Sequence, residues 1–346
     1  MTRLRQIALG GATAALLMGG AVGESFAVEN GAFQYLAGAS IGIPAGAAAP
    51  PGLYSAFEPF WGITGGMTGT QGGTGAGGGK GVALGSLGGV VPLVWSTGWN
   101  VFGASYSVAI IQPFATAIVN VTGASSATNG VGVSAWQQMI LNTIWQPVNL
   151  SWNLGNGWFT SVAFSFAAPI GTHTLGIANP DFWTIQPGLA ISYLSANFVG
   201  TVNMSYNIYT GSQGTAMGLG GTPFGVGYVS GNQFVGDWDL LWKFGKWSIG
   251  PVGYWVWQTT SDRAGGGGCQ AVINAGLGAI GCGNNTFVGF GGLIGYDFGP
   301  VDMQVWVTDT VWSENTAQAG VTVFSRIGFK IWGPEAPAAR PLVSKN

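Results

Sequence analysis

Residues 197–209 read NFVGTVNMSYNIY. Phe198, Gly200, Val202, Met204, Tyr206 and Ile208 share one parity; Asn197, Val199, Thr201, Asn203, Ser205, Asn207 and Tyr209 share the other. One face is apolar and the other mostly small and polar, which is the period of a strand and not of a helix. The preceding segment repeats the pattern: Trp183, Ile185, Pro187, Leu189, Ile191 and Tyr193 oppose Thr184, Gln186, Gly188, Ala190 and Ser192. Two such runs joined across Leu194-Ser195-Ala196 predict a β-hairpin. Which of its faces lies inside decides the fold.

Composition answers that. Only 6 % of the 346 residues are charged, and 13 % are aromatic, including 16 Trp. Soluble domains carry about 25 % charged residues and need them at the surface. Mean hydropathy is +0.36, yet no segment past the N-terminal leader has the ~18 or more continuous apolar residues of a membrane helix. An apolar chain built of alternating strands satisfies its backbone in lipid only as a closed barrel, with apolar side chains outward and polar ones towards a lumen. The expected fold is therefore an all-β transmembrane antiparallel up-and-down barrel. The net charge of −2 gives no sign of a nucleic-acid partner.

Met1 to Ala27 reads as a secretory signal peptide: Arg3 and Arg5 precede an apolar stretch from Ile7 to Val22, and Ser25-Phe26-Ala27 offers small residues for cleavage. Residues 28–52 are Ala- and Gly-rich without alternation and form either a loose N-terminal arm or a lumenal plug. Strands are expected near 53–63, 90–102, 104–119, 140–154, 158–170, 182–194, 197–210, 232–244, 246–260, 285–298, 301–312 and 319–332, making a barrel over 53–332. Residues 333–346 read as a disordered C-terminal tail. The connections alternate long and short throughout, the short ones lying at Gly103, Gly155-Asn156-Gly157, Ser195-Ala196, Gly245 and Gly299-Pro300. Outer-membrane barrels keep long loops outside and short turns in the periplasm, so the alternation points to that class and to a Gram-negative outer membrane. Pro147, Pro187 and Pro251 stand against it, because each removes a ladder donor inside a strand.

With the strands laid out, several motifs resemble a known family. They are Glu29-Asn30-Gly31, Pro50-Pro51-Gly52-Leu53-Tyr54, Gln146-Pro147, Asn153-Leu154-Gly155 and Ala168-Pro169-Ile170-Gly171. Phe182 to Tyr193, Trp247 to Tyr254 and Gly295-Tyr296-Asp297-Phe298 complete the set. The chain resembles the outer-membrane proteins of the phenol meta-cleavage degradation type. These motifs mark turns and strand ends and not a reaction centre. The resemblance implies a transporter of hydrophobic or aromatic catabolic substrates, with outer-membrane lipid and the barrel-assembly machinery as partners. One departure is the tail that follows Trp332, where such barrels usually end on an aromatic residue.

The lumen is the candidate site. Inward parity places Glu58, Asp237, Asp239, Asp302, Lys243, Arg326 and Lys330 there, either as a charge lattice that stiffens the barrel or as ligand contacts. Tyr209, Tyr254, Gln258, Trp306, Phe324 and Phe287 add aromatic and amide lining, which suits a small hydrophobic molecule in a narrow passage. Cys269 and Cys282 lie in one Gly-rich connection, and behind a signal peptide they read as a disulfide rather than as free thiols. No cofactor or metal is expected, since there are one His and two Cys. Gly73 to Gly78 has dinucleotide-binding spacing, but no helix follows to cradle a phosphate. Two rival functions remain: a pore-less structural or adhesive barrel, and a barrel hydrolase using His173 as its base.

Overall fold

The computed structural model describes residues 37–64, 82–121, 133–173, 183–210, 216–217, 223–224, 228–229, 231–260, 263–264, 284–314 and 320–334. The expected signal peptide, residues 28–36 of the arm, most of the tail, and Cys269 and Cys282 lie outside the described residues.

The chain forms a closed antiparallel barrel. Its strands are β1 (Gly52–Thr64), β2 (Val82–Val101), β3 (Ala104–Val121), β4 (Val133–Ile140), β5 (Ile144–Gly155), β6 (Trp158–Ala167), β7 (Thr172–His173), β8 (Thr184–Leu194) and β9 (Phe198–Tyr209). Three short pieces follow, β10 (Ala216–Met217), β11 (Pro223–Phe224) and β12 (Tyr228–Val229). The wall resumes with β13 (Gln233–Phe244) and β14 (Trp247–Gln258), then β15 (Arg263–Ala264), β16 (Thr286–Asp297), β17 (Val301–Glu314) and β18 (Gly320–Trp332). Neighbours in sequence are neighbours in the sheet, and β18 pairs with β1 to shut the cylinder. Fourteen segments make twelve staves, because β4 continues β5 and β7 continues β6. β10 with β11, and β12 with β15, pair separately.

The inversion expected from parity is what the wall shows. Val202 faces Ile191 on one side and Trp238 on the other, all on the outer surface. Next along the same strands, Asp237 and Asp239 are 1 % exposed and point inward. Aromatic rings circle the short-turn end: Trp99 stacks on Tyr106, Trp158 meets Tyr193, Phe198 meets Trp242, and Trp247 meets Tyr296. Such a girdle marks a membrane–water boundary, where an apolar ring with a polar edge is best placed. The fold is that of an outer-membrane barrel.

The prolines are accommodated by gaps in the ladder. Pro187 pairs with Phe164 of β6, while the pairing of β8 with β9 skips it. Pro251 pairs with Gly292 of β16 and is skipped on the β13 side. Pro147 falls at register shifts on both sides, and its carbonyl accepts the Tyr106 hydroxyl at 2.6 Å. Each missing N–H thus coincides with an interruption that needs no donor there.

One expected strand is corrected. The pattern predicts a single strand over 140–154, but β4 and β5 are separated at Leu141-Asn142-Thr143 and both pair with β3. Pro113 stands opposite the break, and side chains replace the ladder. Gln112 donates to the carbonyls of Pro113 and Leu141, Thr143 donates to Gln112, and Asn142 accepts the Gly171 N–H. β2 and β3 also extend beyond the expected 90–102 and 104–119. Small residues such as Gly85, Ser86, Ala115 and Ala117 weaken the apolar alternation there, so pattern alone ends the strands too soon.

Candidate functional site in the barrel lumen

Inward positions of nearly every stave converge on one object, residues 37–50. This segment reads AGASIGIPAGAAAP and lies inside the barrel, with Ile41 0 % and Ile43 1 % exposed. It makes no ladder with the wall. Its own turns satisfy some donors: Ile41 N–H reaches Gly38 O, and Ile43 N–H reaches Ser40 O. Ala45 and Ala47 N–H are likewise met within the arm, and those of Gly38, Ser40, Gly42, Gly46 and Ala48 are met by side chains of the wall.

Two carboxylates take the N–H groups. Asp237 Oδ1 accepts from Gly38 at 2.8 Å, and Asp237 Oδ2 accepts from Ser40 N–H at 3.0 Å and Ser40 Oγ at 2.7 Å. Asp239 Oδ2 accepts from Gly42 at 3.0 Å. Across the lumen, donors take the carbonyls. Trp306 Nε1 donates to Gly38 O at 3.0 Å, Arg326 Nη1 to Ile41 O at 2.7 Å, and Gln304 Nε2 to Gly42 O at 3.2 Å. Arg326 Nη2 donates to Ala39 O. Nearer the short-turn end serines take over. Ser192 accepts Gly46 N–H, Ser151 donates to Gly46 O and accepts Ala48 N–H, Ser161 donates to Ala45 O, and Ser96 donates to Ala49 O.

Small residues make that fit possible. A Cβ on Gly46 would lie 2.7 Å from Ser192 N and 2.8 Å from Phe159 O, both backbone atoms. Gly42 has φ +79° and leaves room for the Gln304 amide and Leu293.

Arg326 is the electrostatic centre. It is 0 % exposed, and its Nε donates to Glu58 Oε1 at 2.7 Å while Nη1 also donates to Gln304 Oε1 at 3.0 Å. Its guanidinium lies 4.8 Å above the Trp306 ring. Trp306 in turn stacks on Phe324 with centroids 5.1 Å apart and planes within 6°. Phe60 joins Phe324 at 6.2 Å, and Tyr254 meets Phe287 edge-on at 5.8 Å. A Cβ on Gly38 would touch Tyr254 and Phe324, so the arm lies directly on this aromatic surface.

The expected site residues therefore separate. Glu58, Asp237, Asp239, Trp306 and Arg326 form one connected set with the arm. Tyr254 abuts it and shares a hydrogen bond with Thr310. Tyr209 and Gln258 sit towards the long loops. Tyr209 donates to Gln233, and Gln258 accepts the Asn285 N–H and donates to Thr260 O. Gln186, Asn207, Gln233, Gln258 and Asn285 are neighbours at that level on successive strands. Asp302 is buried, and neither of its carboxylate oxygens has a hydrogen-bond partner. Lys243 is half-buried on β13. Lys330, expected in the passage, lies exposed at the short-turn rim, bonded to Pro334 O and 6.0 Å from the Tyr54 ring. The backbone of His173 belongs to β7; its side chain lies outside the described residues.

Sequence reasoning missed Gln304, Asn203 and the four serines. Their signal was inward parity, shared with many residues that hold nothing.

Comparison with known proteins fits this architecture. No curated protein matches the chain in sequence. A COG4313 outer membrane channel from Pseudomonas putida F1 superposes with a TM-score of 0.63 at 12 % identity, covering 82 % of this chain and 97 % of its own. The transport unit of the autotransporter AIDA-I from Escherichia coli gives 0.45 at 10 % identity over 81 % and 89 % of the two chains. A variant of the TodX monoaromatic hydrocarbon channel gives 0.41 at 10 % identity over 92 % and 97 %. At such identities the first likeness establishes the barrel fold. Residues 64–326, most of the sequence, match the family described as putative MetA-pathway of phenol degradation, and the chain belongs to that family.

Proposed function

We propose that this protein is an outer-membrane channel for passive uptake of small hydrophobic, chiefly aromatic, compounds, closed at rest by residues 37–50. The observation that carries the reading is how the arm is held. Nothing in it is stitched to the wall by a backbone ladder, and its polar contacts are single side-chain bonds that water can replace. Its bonds to the serines, Trp306 and Gln304 contribute about 0.5–1.5 kcal/mol net each, and those to Asp237, Asp239 and Arg326 about 1.5–3 kcal/mol. The surface the arm covers is aromatic (Trp306, Phe324, Phe60 and Tyr254) with a few fixed polar groups, the make-up of a site for a small apolar ligand. The family's description and the channel of Pseudomonas putida support the same reading. Cys269 and Cys282 are proposed to tie one outer loop, and the segment before Val28 to be a cleaved leader. Lipid surrounds the barrel, and the assembly machinery inserts it.

A pore-less barrel is the second reading, favoured by the complete burial of Ile41 and Ile43. Uptake of phenols, fatty acids and sugars into liposomes decides between them. The full-length G42L/G46L variant cannot seat its arm against Gln304 and the Ser192 backbone, so it should pass phenols faster than the native chain. Flux equal to that of empty liposomes in a heat-modifiable, folded variant would leave the structural barrel standing. No catalytic step is assigned to the lumen.

A further inference from the structure

The lumen holds six buried or half-buried charged residues among those described: Glu58 on β1, Asp237, Asp239 and Lys243 on β13, Asp302 on β17 and Arg326 on β18. Glu58 and Arg326 pair at 2.7 Å and cancel. Three carboxylates then face one ammonium. Residues 37–50 contain no ionisable side chain, so the arm masks this imbalance without neutralising it. Asp237 and Asp239 are covered by its N–H groups, while Asp239 Oδ1 and both Asp302 oxygens have no hydrogen-bond partner. At the short-turn rim Lys246 and Lys330 are exposed and Asp297 is half-buried, where water and salt screen them. Once the arm leaves and water reaches these carboxylates they ionise, and the unscreened charge of the passage is then acidic.

Resting on the channel reading above, we infer that the opened lumen is cation-selective and discriminates among aromatics by charge. A narrow passage with low-dielectric walls concentrates its field, so a small carboxylate excess attracts cations and repels anions. Neutral rings such as phenols and cationic arylamines pass; ring carboxylates such as benzoate are held back. Asp237 and Asp239 are the specificity determinants, exposed only when the arm leaves.

The test uses full-length G42L/G46L in planar bilayers under a tenfold KCl gradient. The expected result is a reversal potential of cationic sign, with K⁺ passing about threefold or more better than Cl⁻. Adding D237N/D239N should bring that ratio towards one. In liposomes the same open variant should pass benzyl alcohol about tenfold faster than benzoate. A conducting variant with no preference, or with an anionic one, overturns the selectivity and leaves the channel standing. A folded variant that does not conduct overturns both. If G42L/G46L fails to assemble, A45W dislodges the arm at a residue that is 0 % exposed, and the same readings apply.

Discussion

Asp237 holds Ser40 twice through one oxygen, accepting its backbone N–H at 3.0 Å and its hydroxyl at 2.7 Å. The other oxygen takes the Gly38 N–H at 2.8 Å. A single wall carboxylate therefore clasps the arm at two alternate residues, and Asn203 supports the Ser40 hydroxyl from the next strand at 2.9 Å.

Replacing Asp237 with Ala removes all three contacts. Hydrogen bonds to a charged group contribute about 1.5–3 kcal/mol each, and as a cluster they do not simply add. The open fraction of D237A should rise by about tenfold or more, at about 1.4 kcal/mol per decade. Single-channel recording of the full-length variant measures it. An open probability equal to wild type would show that the clasp does not govern the arm.

Removing Arg326 alone is predicted to destabilise the barrel. R326A leaves Glu58 buried beside the Ala39 and Ile41 carbonyls, and stranding one member of a buried pair costs about 3–5 kcal/mol. The double variant E58Q/R326M should recover much of that loss, because neither side chain then carries a charge. The temperature at which the barrel unfolds on a heat-modifiability gel ranks the three proteins.

Locking the arm should silence any flux. Ala48 N–H lies 3.0 Å from Ser151 Oγ, so A48C/S151C in a C269S/C282S background brings two thiols into range. Oxidised protein should stay closed even when D237A is added, and reduction should restore the D237A behaviour. Phenol uptake before and after dithiothreitol reads the outcome.

The outer face should reject charge. Leu189 is 41 % exposed between Val162 and Met204, at the middle of β8. L189R should lower stability by about 2–4 kcal/mol, the cost of a cation near the bilayer midplane. Urea unfolding of liposome-embedded protein gives the value. Unchanged stability would mean that this face does not meet hydrocarbon.

Parity carried most of the lumen. Asp237, Asp239, Trp306 and Arg326 share a face with small polar neighbours, so they could be placed inside from period alone. Lys330 shares that parity but stands too near the end of β18, where the lumen opens to the rim. The break at Leu141-Asn142-Thr143 was not legible, because a short polar pair between Ile140-Leu141 and Ile144-Trp145 looks like ordinary strand sequence. The serines that hold the arm were not legible either, since nothing local distinguishes a serine facing water from one facing a buried carbonyl.

The sequence by itself determined the barrel, its strand number and the inversion of its faces. Those follow from scarce charge and a period of two, which leave lipid-facing strands as the one way to satisfy the backbone. Only the tertiary structure decided what occupies the lumen. An Ala- and Gly-rich stretch has no periodicity to reveal a partner, and its contacts join residues more than a hundred positions apart, such as Gly38 with Asp237 and Ala45 with Ser161.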